Sequence, residues 1–182
     1  MKHFRKTIAL FLVVVMLTTT MGSTVLAGTE NQGFSDQAET TVDSRFLDGI
    51  DTAGYDYVIT SQEQADELRV SDDSKSILVA CGSVYLSGIT AGTITIRNTT
   101  KIQLSNVTAK ALDISQGTAI SFTGVKTDQL LIAGEKTEES SLQIDSETNI
   151  SKLELNGGQA VTLEGSGTIG GVEVKEPVSS LA

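Results

Sequence analysis

The chain has 182 residues, of which 39% are apolar, 20% charged and only 4% aromatic. Twenty-three acidic residues against 13 basic ones give a formal net charge of −10, which excludes a nucleic-acid-binding surface, and a single cysteine excludes a disulfide framework. The lack of a second long apolar run excludes a multi-span membrane protein, so one domain with a tail is expected.

Residues 1–27 have the pattern of a secretory signal peptide. A basic start at Lys2 precedes the apolar stretch 8–17, which is too short to span a bilayer. Residues 25–27 then supply small residues at the positions that a signal peptidase recognises. We expect cleavage before Gly28 and a secreted protein, extracellular or at the cell surface, with no membrane span after cleavage. An uncleaved membrane anchor is the alternative.

Residues 28–54 are predicted to form an acidic, flexible leader. Removal of the signal peptide takes away three basic residues and no acid, so the net charge becomes −13. Twelve acids against three basic residues lie between positions 28 and 75, a composition typical of a solvated segment. Calcium binding by Asp48, Asp51 and Asp56 is the alternative, although their spacing lacks the alternating oxygen ligands of a calcium loop.

Residues 55–75 are predicted to cap the fold that follows. The stretch 56–60 is typical of a strand, and a capping box that begins at Thr60 predicts a short helix ending near Leu68. Such a helix is expected to lay Ala65 and Leu68 over the open end of the following domain, because repeated structures need their ends covered.

After a predicted strand at 75–81, apolar residues recur with a fixed period. Three sets of five follow one another at intervals of 18 residues: Val84, Leu86, Ile89, Ile94 and Ile96; Ile102, Leu104, Val107, Leu112 and Ile114; Ile120, Phe122, Val125, Leu130 and Ile132. Two further sets are 19 residues apart: Leu142, Ile144, Ile150, Leu153 and Leu155; Val161, Leu163, Ile169, Val172 and Val174. Pairs two positions apart within each set have the period of a β-strand.

These repeats predict an all-β fold, a parallel β-solenoid over residues 76–177 with about five to six rungs, each rung being one lap of the coil. The unequal spacing inside each set favours a right-handed β-helix over the left-handed hexapeptide type. A β-sandwich is the alternative. Four extra residues between Ile120 and Leu142 predict a charged loop at 133–141, protruding from one corner.

Two segments resemble the N-terminal cap and first rung of the pectin-lyase-like superfamily of secreted right-handed parallel β-helix proteins. They are YVITSQEQADELRV at 57–70 and SILVACGSVYL at 76–86, and with the repeats the resemblance covers residues 55–177. It implies the fold, and it suggests polysaccharide lyases and hydrolases as candidate activities, whose sites need clustered carboxylates, often calcium, and a basic residue.

Outward positions of equal register are the places to look for a site. Tyr85, Gln103 and Ser121 share one column, which we expect to continue through Gln143 and Thr162 without charge. Tyr85 is the candidate ligand contact of this column, with Gln103 and Ser121 beside it, because a sugar ring can stack on an aromatic plane.

Glu154 and Glu173 are predicted to stack on adjacent rungs, as a candidate calcium site or as a mild solubility feature. Calcium is therefore the one candidate cofactor.

His3, the only histidine, lies in the predicted signal peptide, so a mature chain has no Ser-His-Asp arrangement and no imidazole metal ligand. Cys81 lies in an apolar strand and is expected to be a small buried hydrophobe.

The C-terminal end has no predicted cap. After Val174 only Pro177 and a tail at 178–182 remain, so either end-to-end self-association or a tail folded over the edge is expected.

The leading functional hypothesis is an exported, non-catalytic scaffold or adhesin-like surface-interaction protein, with a polysaccharide or a surface protein as partner. The alternatives are a small glycan-binding module and a calcium-dependent polysaccharide lyase.

Overall fold

The structure is a computed structural model, and it describes residues 44–134 and 139–175. The predicted signal peptide at 1–27, most of the leader, the middle of the corner loop and the tail at 178–182 lie outside the described residues.

The described residues form thirteen strands and one α-helix, after a 3₁₀ turn at Ser44–Phe46. The order is β1 (Tyr57–Ile59), α1 (Gln62–Glu67), β2 (Ser71–Ala80), β3 (Ser83–Ser87), β4 (Thr90–Arg97), β5 (Lys101–Ser105), β6 (Thr108–Ser115), β7 (Ala119–Thr123), β8 (Lys126–Ala133), β9 (Glu139–Ile144), β10 (Asn149–Asn156), β11 (Ala160–Gly165), β12 (Thr168–Ile169) and β13 (Val172–Lys175). The helix α1 has six residues, and the described part of the chain holds no helix long and apolar enough to cross a bilayer.

The strands form two parallel sheets. An eight-stranded sheet has the order β1-β2-β4-β6-β8-β10-β12, with β13 also beside β10, and a five-stranded sheet has the order β11-β9-β7-β5-β3. Because the strands from β2 to β12 alternate between the sheets and each pairs with the strand one lap away, the chain coils. The predicted parallel β-solenoid is confirmed, with about six rungs.

The predicted period sets the pairing. Ile94 pairs with Leu112, and Ile102 pairs with Ile120, each 18 residues apart. All fifteen residues of the first three sets are at most 3% exposed, so they form the continuous core that the period predicts. The lengthened corner is confirmed as well, since Ile120 pairs with Leu142 across it.

The register of the last rung is only partly as predicted. The 19-residue interval holds in the eight-stranded sheet, where Leu153 pairs with Val172, but it is wrong in the five-stranded sheet, where Leu142 pairs with Leu163 instead of Val161. Two more residues enter the corner between β10 and β11, because the Gln159 side chain turns inward, is 8% exposed and donates to Ser140 Oγ at 2.7 Å.

The N-terminal cap forms, with one correction. The helix cap is Ser61 and not Thr60: the Ser61 hydroxyl accepts a hydrogen bond from the Gln64 amide. Gln64 instead reaches back with its side-chain oxygen, which accepts from the Thr60 amide at 2.6 Å. Ala65 and Leu68 are buried in the core, as the cap prediction requires.

Asp56 connects the start of the cap to β2 through hydrogen bonds and an ion pair. Its Oδ2 accepts a hydrogen bond from the Ser76 amide at 2.8 Å, and its Oδ1 lies 3.0 Å from Lys75 Nζ. These bonds, that from Ser76 above all, lower the pKa of the Asp56 carboxyl to about 2. The strand β2 begins at Ser71 and not at the predicted Lys75, and its register with β4 shifts between Asp72 and Ser76.

Candidate functional site

The predicted polar column exists on the outer face of the five-stranded sheet. Tyr85 pairs with Gln103, Gln103 with Ser121, and Ser121 with Gln143. The column ends in Glu164 and not in Thr162, because the last rung is displaced by two residues. The prediction of an uncharged column is therefore wrong at this end. Adjacent strands are about 4.8 Å apart, so the column is about 19 Å long.

A shallow groove of about 250 Å³ runs across this column. Gln103 and Ser121 both line it, together with Gln143 and Glu164 from the following rungs and Lys101 from the neighbouring column. Amide groups both donate and accept hydrogen bonds, and the serine hydroxyl does the same. The groove thus presents groups that can donate or accept hydrogen bonds at the rung spacing, with one amine and one carboxylate on its lining.

Tyr85 does not line that groove and has a different environment. Its ring, with 45% of the residue exposed, lines a separate cavity of about 270 Å³ beside Arg69 and Asp66 of the cap. The backbone of Tyr85 is held by Gln62, whose Oε1 accepts from the Tyr85 amide at 2.7 Å and whose Nε2 donates to the Tyr85 carbonyl at 2.9 Å. The structure therefore brings Gln103 and Ser121 together and places Tyr85 at the cap.

Glu154 and Glu173 stack on adjacent rungs as predicted, but two lysines surround them. Lys175 Nζ lies 2.6 Å from a Glu154 oxygen, and Lys152 Nζ lies 2.5 Å from Glu173 and 3.5 Å from Glu154. The hydrogen bond from Lys175 holds the pKa of the Glu154 carboxyl below its usual range, although the residue is only 6% exposed. The two carboxylates therefore already have cationic partners.

The same cluster is poorly suited to proton abstraction. The hydrogen bond that Lys152 donates to Glu173 raises the pKa of the Lys152 amine, so this amine stays protonated near neutral pH. A general base needs the opposite shift. In the part of the chain that the structure describes, no three metal-ligating side chains come together, and calcium binding at Glu154 and Glu173 stays a prediction.

A second groove on the eight-stranded sheet was not predicted. It has a volume of about 460 Å³ and is lined by Lys110, Lys126, Asp128, Asn149 and Ser151, among others. These residues lie where each rung bends between its two paired segments, since the pairing skips positions such as Lys110 and Asp128. The sequence signal for this groove was the recurrence of polar residues at equal register on successive rungs.

Cys81 is buried, as expected of a small hydrophobe. Its thiol lies 3.3 Å from the Ser83 carbonyl, and burial raises the pKa of the thiol, so it is a poor nucleophile.

Comparisons of the chain with protein-family models, with curated proteins and with solved structures found no match.

Proposed function

We propose that the protein is an exported, non-catalytic β-solenoid scaffold, an adhesin-like surface-interaction protein whose five-stranded sheet binds a polysaccharide. The observation that carries this proposal is the groove of Gln103, Ser121 and Gln143, in which three consecutive rungs present hydrogen-bonding side chains in register. A chain of sugars, which also repeats donors and acceptors at a regular interval, is a complementary partner. A surface protein is the alternative partner.

The charge of the chain favours a neutral polysaccharide. The net charge of −10 repels polyanions, and the single amine of the groove, Lys101, is balanced by Glu164. The calcium-dependent lyase remains a weaker proposal, because the lysine contacts to Glu154 and Glu173 give it no support.

The resemblance to the pectin-lyase-like superfamily, which concerns the fold alone, is part of the same proposal. A right-handed coil of the pectin-lyase-like superfamily, secreted after removal of residues 1–27, would place this groove outside the cell. The C-terminal rung, which no described residue covers, is proposed as the surface for end-to-end self-association.

A matched pair of glutamine substitutions tests the groove. Gln103→Ala combined with Gln143→Ala is expected to lower the affinity for a bound oligosaccharide at least tenfold, because both amides leave the groove. Gln129→Ala, an exposed glutamine on the outer face of the other sheet, is expected to leave affinity unchanged. Calorimetry with oligosaccharides of glucose, N-acetylglucosamine and galacturonate, with and without calcium, measures this.

The results separate the candidate partners. Binding of the neutral oligosaccharides that is lost only in the groove variant supports the proposal. Absence of binding to every oligosaccharide, or equal weakening by Gln129→Ala, contradicts it. Unsaturated products from galacturonate oligomers would instead favour the lyase. Tyr85→Ala is a separate variant that asks whether the cap cavity contributes.

A further inference from the structure

In the described part of the chain, the last rung leaves three of its core-register side chains exposed. Leu163, Val172 and Val174 pair with buried or partly buried core residues one rung back, yet they are 43%, 55% and 64% exposed. In the described residues, β13 pairs on one side only, with β10. Among the described residues, the rung therefore ends in an apolar surface bordered by a strand edge without a partner, the combination that favours pairing with another chain.

The core at the opposite end of the coil is covered, although β1, like β13, pairs on one side only in the described residues. The helix α1 places Ala65 and Leu68 in the core, each at most 8% exposed. Gln62 binds both backbone groups of Tyr85 on β3, the outermost strand of the five-stranded sheet at this end. A second copy therefore has little core surface to contact at the N-terminal end, which argues against stacking of head to tail.

The free edge is complementary to itself. Along β13, Val172 and Val174 take inward positions, and Glu173 and Lys175 alternate with them on the outer side. If a second β13 pairs in the antiparallel direction with Val174 opposite Val174, each Glu173 lies opposite a Lys175 of the copy. Glu173 and Lys175 already contact Lys152 and Glu154 of their own chain, so the pairing would extend these ion pairs across the interface. Opposite charges across a strand pair stabilise it, whereas like charges destabilise it.

We propose that two copies of this chain dock tail to tail through antiparallel pairing of their β13 strands, related by a two-fold axis at Val174. The orientation rests on the proposed end-to-end self-association of the scaffold. Isologous contacts of this kind close after two copies and give a discrete dimer instead of a filament. The resulting rod carries its two polysaccharide grooves at a fixed separation.

Light scattering on the purified protein across a range of concentrations tests the self-association. The wild-type protein is expected to reach twice the monomer mass, and Val174→Lys is expected to remain a monomer, because a lysine on the edge prevents pairing. Tyr57→Lys, at an exposed position of β1 at the other end, is the matched control and is expected to dimerise like the wild type. A wild-type protein that stays monomeric at all concentrations overturns the dimer, whereas the polysaccharide groove is tested separately by the calorimetry described above.

Deletion of residues 176–182 tests the competing occupant, the chain's own tail. If the full chain is a monomer and the deleted chain a dimer, the tail covers the edge and the proposal is overturned. A dimer in both cases supports the second copy as the occupant.

Cysteine cross-linking tests the orientation separately. Opposite residues of an antiparallel pair have Cα atoms about 4.5 to 5.5 Å apart, within the range that a disulfide spans. Val174→Cys is therefore expected to form a disulfide-linked dimer under mild oxidation, whereas the wild type, whose Cys81 is buried, does not. If the protein self-associates but Val174→Cys links only to Tyr57→Cys, the copies stack head to tail, and the orientation is wrong while self-association stands.

Discussion

Leu130→Ala is expected to lower the free energy of unfolding by about 3 kcal/mol, whereas Leu131→Ala is expected to lower it by about 1 kcal/mol or less. Both leucines lie on β8, one residue apart. Leu130 is fully buried among core residues of the rungs before and after it, and Leu131 lies on the outer face between Asp113 and Glu154. The same truncation therefore leaves a buried cavity at Leu130, whereas at Leu131 it only removes atoms from the outer surface.

Chemical denaturation followed by circular dichroism measures both values, and equal slopes with denaturant concentration would show that the two variants expose the same surface on unfolding. The pair needs no other control, since the substitution and the strand are the same. Equal losses of stability at the two positions would contradict the inward assignment of Leu130.

Gly165→Ala is expected to destabilise the last rung by about 2 kcal/mol or more. Gly165 has a φ of +118°, a region that side chains rarely adopt, and a Cβ at this position would lie 1.8 Å from the Ile144 carbonyl oxygen. That oxygen belongs to the backbone of β9 and accepts a hydrogen bond from the Ser166 amide, so it cannot move without breaking the pairing of the two strands.

Hydrogen exchange of the Ser166 amide measures this effect locally. We expect faster exchange in Gly165→Ala, with the central rungs unchanged, because the exposed last rung can open by itself. Gly171→Ala is the matched control, since a Cβ there meets nothing within 4 Å and the residue does not have a positive φ. Slow exchange of Ser166 in Gly165→Ala would contradict the close approach of β11 to β9.

The core was predictable because every rung imposes the same requirement on its inward residues. A side chain such as Leu112 touches the residues 18 positions before and after it, and a polar residue there would be buried without a partner, so the period is visible in the sequence. The last rung was less predictable. Its register includes Gln159, a buried polar residue whose Nε2 donates to Ser140 Oγ, and a contact between two polar residues 19 positions apart is not visible in an apolar period.

The outer surfaces were predictable only where they follow the same period. Gln103 and Ser121 were found because their strands pair in the predicted register. The groove at Lys110 and Asp128 was missed, since a bend within a strand displaces these positions from the alternation of inward and outward residues. The pairing of Glu154 with Lys175 was not predicted, because Lys175 is 21 residues away in sequence and contacts Glu154 diagonally across the strand pair, outside the 19-residue register.

Backbone nuclear Overhauser effects on isotope-labelled protein provide the decisive measurement of the coil. Stacked parallel rungs predict contacts from Ile94 to Leu112 and from Leu112 to Leu130, each spanning 18 residues, with the same order along both strands. Contacts that run in opposite order along neighbouring strands, or that join β3 to β4 as a hairpin, would contradict the solenoid and every proposal that depends on it.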